Sequence, residues 1–185
     1  ADLGIHLLDA LVFLLGYENV DKISAKANTV IKERPSENGE KMEKVDVDDW
    51  GLMTLELKNG AVGTAEVSKV SYNPYDVFEI EIYGTNGYVK ISDKNPYEPV
   101  YSIYNSRNSR DISEIINSDN YTNYLNSIYP NPRMSMGFMV DMHTASLLNM
   151  IINVINNKIV NEVTPTFEES MKSHKLLEEA YLSIQ

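Results

Sequence analysis

The sequence contains no cysteine. That removes disulfides, thiolate nucleophiles and cysteine metal sites together, and it fits a reducing compartment, so a cytoplasmic location is expected. Basic residues are also scarce: 16 Lys and Arg stand against 27 Asp and Glu, for a formal net charge of -11. Nucleic-acid phosphates and anionic membrane surfaces both demand clustered cations, so neither is an expected partner. The acidic residues are scattered, and the charge speaks mainly for solubility. No apolar run approaches the roughly 20 residues of a membrane span. The most apolar stretch is broken by Asp9, and the next, near Leu147, by Asn149 and Asn153. The first residue is Ala and no basic region precedes the apolar run, so a signal peptide is not expected. The phosphate-binding and nucleophile motifs G-x-G-x-x-G, Walker A and G-x-S-x-G are missing, and there is no internal repeat.

What remains is an ordinary globular composition over 185 residues, 43% hydrophobic and 23% charged, enough for one domain with a real core. Asp2 to Leu15 reads as a helix, with Asp2 as a candidate cap and Gly16 as the residue that ends it. From Val20 to Ile31 the pattern turns to strand, and "RPSENGEKMEK" after it reads as an exposed loop. The runs "DDWGLMTLEL" and "AVGTAEVSKV" flank Asn59-Gly60, a strong hairpin signal. A second hairpin joins "DVFEIEIYG" to "YVKIS" through "TNG", with Phe78, Ile80 and Ile82 on one face and Glu79, Glu81 and Tyr83 on the other. "PVYSIY" at 99–104 adds a further strand. Residues 105–133, rich in Asn, Ser and Tyr, read as a long variable loop or insertion with at most a helical turn. Met136 to Asn157 is helical, and Pro165 and Thr166 set up a last helix with acidic residues in its first turn. The order predicts an α+β domain: a large, mostly antiparallel open sheet with helices packed on one face.

Chemistry concentrates in the opening helix. At about 100° per residue, Asp2, His6 and Asp9 fall within one narrow stripe that Phe13 continues, while the rest of the helix is almost wholly apolar. Unpaired charge is costly to bury, so this stripe must face solvent, a polar cleft or a partner. Asp2 and His6 are four residues apart and share a face. The carboxylate favours the imidazolium and the helix N-terminus opposes it, which suits a histidine to shuttling protons near neutrality. Asp9, three residues beyond His6, is placed to hold the ring from the other side. The same stripe also describes the wet side of an amphipathic helix, and spacing alone leaves both readings open. A metal site is not expected, since Asp2, His6 and Asp9 are too few ligands. His143, on the stripe of Met139, Leu147 and Met150, reads as a core histidine; His174, between Lys172 and Lys175, reads as solvated. Tyr121, Tyr124 and Tyr129 would either stack on a sugar ring or pin their own loop. The polar strand positions Thr64, Glu66 and Ser68 would line a cleft or an oligomer interface.

Four segments fall in a familiar order. "ADLGIHLLDALVFLLG" resembles the D-x-x-x-H helix of the Gfo/Idh/MocA oxidoreductases, the glucose–fructose oxidoreductase and inositol dehydrogenase family, including the Asp that commonly follows the His. "VDVDDWGLMTLELKNGAVGTAEVS" is similar to the family's strand pair around an Asn-Gly-Ala turn. "FEIEIYGTNGYVKIS" is similar to its G-x-x-G hairpin. "VTPTFEESMKSHKLLEEAYLSI" resembles its closing helix, although Glu169-Ser170 stand where the family usually has Asp-Gly. Together these cover most of the chain outside 105–133.

The resemblance implies that residues 1–185 are the C-terminal substrate and oligomerisation domain of an NAD(P)-dependent oxidoreductase acting on a sugar, polyol or similar hydroxyl or carbonyl compound. An N-terminal Rossmann domain, carrying the NAD or NADP site and the family's Glu-Lys-Pro lysine, would lie outside this chain, whose opening within a helix and without Met fits that expectation. His6 would be the acid/base, Asp2 its neighbour in the proton network, and Asp9, Tyr121 and Tyr124 substrate-binding or orienting residues. The open sheet face would make a homo-oligomer, and the chain by itself would be inactive. A non-catalytic α+β module for dimerisation or small-molecule sensing is the alternative.

Overall fold

A computed structural model describes residues 2–71, 78–94, 100–104, 110–115, 138–157 and 166–184. Its described helices are α1 (Asp2–Leu15), α2 (Phe138–Asn156) and α3 (Phe167–Leu182). The strands are β1 (Val20–Asn28), β2 (Glu33–Pro35), β3 (Met42–Lys44), β4 (Trp50–Leu57), β5 (Val62–Ser68), β6 (Glu79–Gly84), β7 (Gly87–Ser92), β8 (Val100–Tyr104) and β9 (Arg110–Ile115). They form antiparallel ladders in the orders β1-β4-β5, β2-β3 and β6-β7-β8-β9. The expected α+β class is what the chain adopts. It divides into two compact units, 1–72 with 165–185, and 73–164.

In the first unit, strand alternation builds the core. Ile23 of β1, Met53 and Leu55 of β4 and Ala65 of β5 point to one face of the three-stranded sheet, where Leu8 of α1 and Leu176 and Ala180 of α3 close over them. Leu8 is fully buried, and Leu7, Leu11 and Val12 flank it at helical spacing. Removing each such side chain from water stabilises by about 1.5–3 kcal/mol. The opposite face carries the alternate residues, among them the row Ser24, Thr54 and Thr64 paired across three strands and the Lys22–Glu56 ion pair at 3.9 Å.

The ends of these elements follow local rules. α1 stops at Gly16, whose N–H returns to the Val12 carbonyl at 2.9 Å. α3 begins with a full capping box: Glu169 N–H donates to Thr166 Oγ1, and Thr166 N–H donates to the Glu169 carboxylate. That makes Glu169, where the resemblance departs from the usual Asp-Gly, the residue that closes the cap. The β4–β5 turn places Gly60 at φ 85°, a left-handed conformation that glycine adopts at little cost. The outer edge of β1 is closed at Ala25, whose N–H donates to Ser183 Oγ at 2.7 Å.

Two expectations require correction. The "RPSENGEKMEK" stretch is a short hairpin, β2-β3, rather than a plain loop. Both strands are exposed along their whole length, so no face alternates and the pairing leaves no hydrophobic pattern. Within 105–133, read as loop, Arg110–Ile115 is a strand paired to β8. Its register slips between Ser102 and Ile103, and such a bulge breaks the two-residue period by which strands are recognised. The other residues of 105–133 lie outside the described ones.

In the second unit, β6 and β7 pair through Thr85-Asn86, with Gly84 opposite Gly87. One face carries Ile80, buried, and Ile82; the other carries Glu79, Glu81 and Tyr83 opposite Ser92, Lys90 and Tyr88, which is the expected division. Lys90 Nζ bridges Glu79 at 3.0 Å and Glu81 at 3.2 Å. Tyr83 donates to Glu81, and its ring centroid lies 5.0 Å from that of Tyr88.

Candidate active site on the first helix

α1 turns one side to the sheet and α3, and the described side chains of the stripe singled out in the sequence stay exposed, with Asp9 at the edge that meets α3. His6 and Asp9 are exposed, as is Phe13 at 68%. Asp2 is in the first helical turn; its side chain lies outside the described part of the structure. The stripe is held rigidly from behind. Leu8 is locked into the core, so the backbone that carries His6 rests on the best-packed region of the unit.

Asp9 has a definite partner. Ser173, on α3 and only 1% exposed, donates its hydroxyl to Asp9 Oδ1 at 2.7 Å. One oxygen of the carboxylate is therefore engaged in joining α1 to α3. Nothing in the sequence marks this bond: the two residues are 164 positions apart, and a serine on a helix is usually read as surface.

Next to the first turn of α1 opens a cavity of about 550 Å³. Leu3 and Gly4 form its helical wall, Arg34 and Lys44 come from the β2-β3 hairpin, and Trp50 and Lys69 from β4 and the end of β5. Its size is that of a small-molecule pocket. Asp49 stiffens it from within. This residue is 5% exposed and accepts the N–H groups of Val30 and Ile31 at 2.6 and 2.9 Å, with Arg34 at 3.6 Å. Burial by itself raises the Asp49 carboxyl, but the two amides and the guanidinium outweigh it and hold the group below its ordinary value. In the sequence Asp49 falls within the strand run "DDWGLMTLEL", where nothing local marks its partners Val30, Ile31 and Arg34, which lie 15 or more positions away.

The other candidates stand apart. Tyr121, Tyr124 and Tyr129 lie outside the described residues, and so does the side chain of His143 on α2. His174 is exposed on α3. Among the described residues no cluster of His, Asp and Glu is arranged to hold a metal ion, and no helix is long and apolar enough to cross a membrane.

Comparison with known proteins fits this arrangement. Residues 1–90, from the D-x-x-x-H helix through β6 and most of β7, match the GFO/IDH/MocA C-terminal domain. Over that span the chain is similar to the Gfo/Idh/MocA family. A levoglucosan dehydrogenase from Pseudarthrobacter phenanthrenivorans is 29% identical over 98 residues, which cover 46% of this chain and 25% of that protein. The solved levoglucosan dehydrogenase in complex with NADH and L-sorbose superposes with a TM-score of 0.73 at 20% identity, covering 100% of this chain and 48% of that one. An NAD-binding oxidoreductase from Klebsiella pneumoniae gives 0.74 at 18% identity, over 98% and 46%. At these identities the superpositions speak for the fold. The chain thus spans about half the length of the solved structures it matches.

Proposed function

We propose that the protein carrying this chain is an NAD(P)-dependent oxidoreductase acting on a sugar, polyol or related hydroxyl or carbonyl compound, with His6 and Asp2 as its proton-handling pair. The observation that carries the proposal is the exposed His6 face on a helix whose other side packs into the core, within the segment that matches the family model. An exposed histidine on a rigid support can be reached by a substrate, whereas a core histidine cannot. Relatives of this fold have been solved with NADH, one of them with L-sorbose also bound, which favours both the cofactor and the substrate class.

The division of labour follows from what the chain holds. It has no glycine-rich phosphate loop, so its own residues fit the substrate side of the reaction, and a second domain would hold the dinucleotide. The nicotinamide, when bound, supplies hydride acceptance or donation at the reacting carbon. His6 takes the hydroxyl proton on oxidation and returns it to the carbonyl oxygen on reduction. Asp2, one turn away on the same face, stabilises the imidazolium between those events. The polar sheet face of Ser24, Thr54 and Thr64 is not covered by α1 or α3, which supports a homo-oligomer formed through it.

His6→Ala in the intact protein should lower kcat by about 10²–10⁴, the usual contribution of general acid–base catalysis, with the dinucleotide Kd unchanged. Near-wild-type turnover would sink the acid/base assignment. Failure of the wild-type protein to bind NADH at all would favour a non-catalytic module for dimerisation or ligand sensing.

A further inference from the structure

We infer that Ser173 is a positioning residue for the proton-handling face of α1. The inference rests on the role proposed for His6 and adds what keeps that residue in place. Ser173 occupies an interior position on α3, on the same buried stripe as Leu176 and Ala180. An alanine would fill that position without a polar atom to satisfy, so the hydroxyl is there at a cost unless its bond does something. It donates at 2.7 Å to Asp9, a residue of the exposed stripe on the other helix.

The position of Asp9 gives the bond its leverage. Asp9 lies three residues after His6, so both stand on one face of α1. Apolar contacts such as those of Leu8 hold the helix firmly against the sheet, but they are non-directional and leave small rolls about the helix axis for a directional bond to fix. A hydrogen bond is directional, and one made at the rim of the helix fixes its roll angle. Side chains end about 5–6 Å from the axis, so a roll of about 15° carries the imidazole roughly 1.5 Å sideways. Displacements of that size are enough to cost orders of magnitude in a step that needs aligned atoms. Tyr181 provides an internal comparison: its hydroxyl ties α3 to Asp48 at 2.8 Å, a bond in which no residue of the stripe takes part.

The experiment uses the intact protein with Ser173→Ala, Asp9→Ala, Asp9→Asn and the control Tyr181→Phe. Two readouts are followed: steady-state kinetics and the imidazole resonances of His6 by NMR. Ser173→Ala and Asp9→Ala should each lower kcat about tenfold or more, leave KM within about twofold, and shift or broaden the His6 resonances. The double variant should be no worse than either single one, as expected for two ends of one bond. Asp9→Asn keeps an acceptor oxygen and should recover most of the loss. Tyr181→Phe should lower the melting temperature without moving the His6 resonances. Unchanged His6 resonances in Ser173→Ala would overturn the inference, as would equal shifts in Tyr181→Phe. If Ser173→Ala does not fold, the exposed Asp9 variants carry the same test. If His6→Ala keeps full turnover, the acid/base role fails by itself, and the resonances still report whether Ser173 sets the face.

Discussion

The two units of the chain hold themselves together by different means. In the first, alternating strands and two amphipathic helices converge on one core, so that Leu8, Ile23, Met53, Leu55, Ala65, Leu176 and Ala180 shield one another. In the second, Ile80 is the buried hydrophobic residue among the described side chains, and the β6-β7 face is knitted by the Glu79–Lys90–Glu81 bridge and the Tyr83–Tyr88 pair. Its helix α2 leaves Leu147, Ile151, Val154 and Ile155 exposed. Burial scales with area, whereas exposed ion pairs contribute little and are screened by salt. The candidate catalytic face stands on the first kind of support, which suits a site that must hold its geometry.

The sharpest way to break that comparison is at Leu8. Truncation to Ala in a fully buried position should cost about 2–5 kcal/mol, the lost transfer energy plus the cavity left behind. The urea midpoint of the first unit should fall accordingly, and amide protection across β4 should drop with it. If Leu8→Ala costs well under 1 kcal/mol, the core is not what supports α1.

In the second unit the corresponding weak point is backbone approach. A Cβ on Gly87 would lie 2.1 Å from the Ser102 carbonyl oxygen, with main chain rather than a flexible side chain in the way. Gly87→Val must therefore push β8 from β7, at a cost of about 1–3 kcal/mol by analogy with overpacking. Amide exchange of Val89 and Tyr101 should accelerate, while Leu55 and Ile23 in the first unit keep their protection. Loss of protection in both units together would show that they unfold as one.

How much of this was legible follows the same division. Local signals are legible nearly to the residue: Gly16 and Thr166 at helix ends and the Asn59-Gly60 hairpin turn are features that tertiary context did not override. β4 and β5 were visible because one face is buried and the other is not, so the period of two survives in the letters. The β2-β3 hairpin and β9 were missed for the opposite reason: the one is exposed on every residue, and the other is interrupted by a bulge. At the site, the Asp2–His6 spacing was visible, but spacing left its meaning open. Ser173 and Asp49 were out of reach, because each matters through a partner brought near only by folding.

Asp49 offers the smallest and most specific test. Its carboxyl is held below the ordinary value despite burial, by the Val30 and Ile31 amides and by Arg34. Glu81 is also held low, first by the hydroxyl of Tyr83 and then by Lys90, but on an exposed surface. A carboxyl whose value is lowered on folding adds stability that is complete above its unfolded value, about 3.9 for Asp. That stability is lost as the pH falls through the lower folded value. Acid should therefore loosen the first unit below about pH 4, and added salt should have little effect there because Asp49 is shielded. Asp49→Asn removes the titrating group: the first unit should be less stable at neutral pH and should lose less of what remains on acidification. The measurement is the urea midpoint at a series of pH values, followed through the single tryptophan, Trp50, which sits beside Asp49. An acid slope as steep as that of the wild type would place the pH sensitivity in other carboxylates of the first unit.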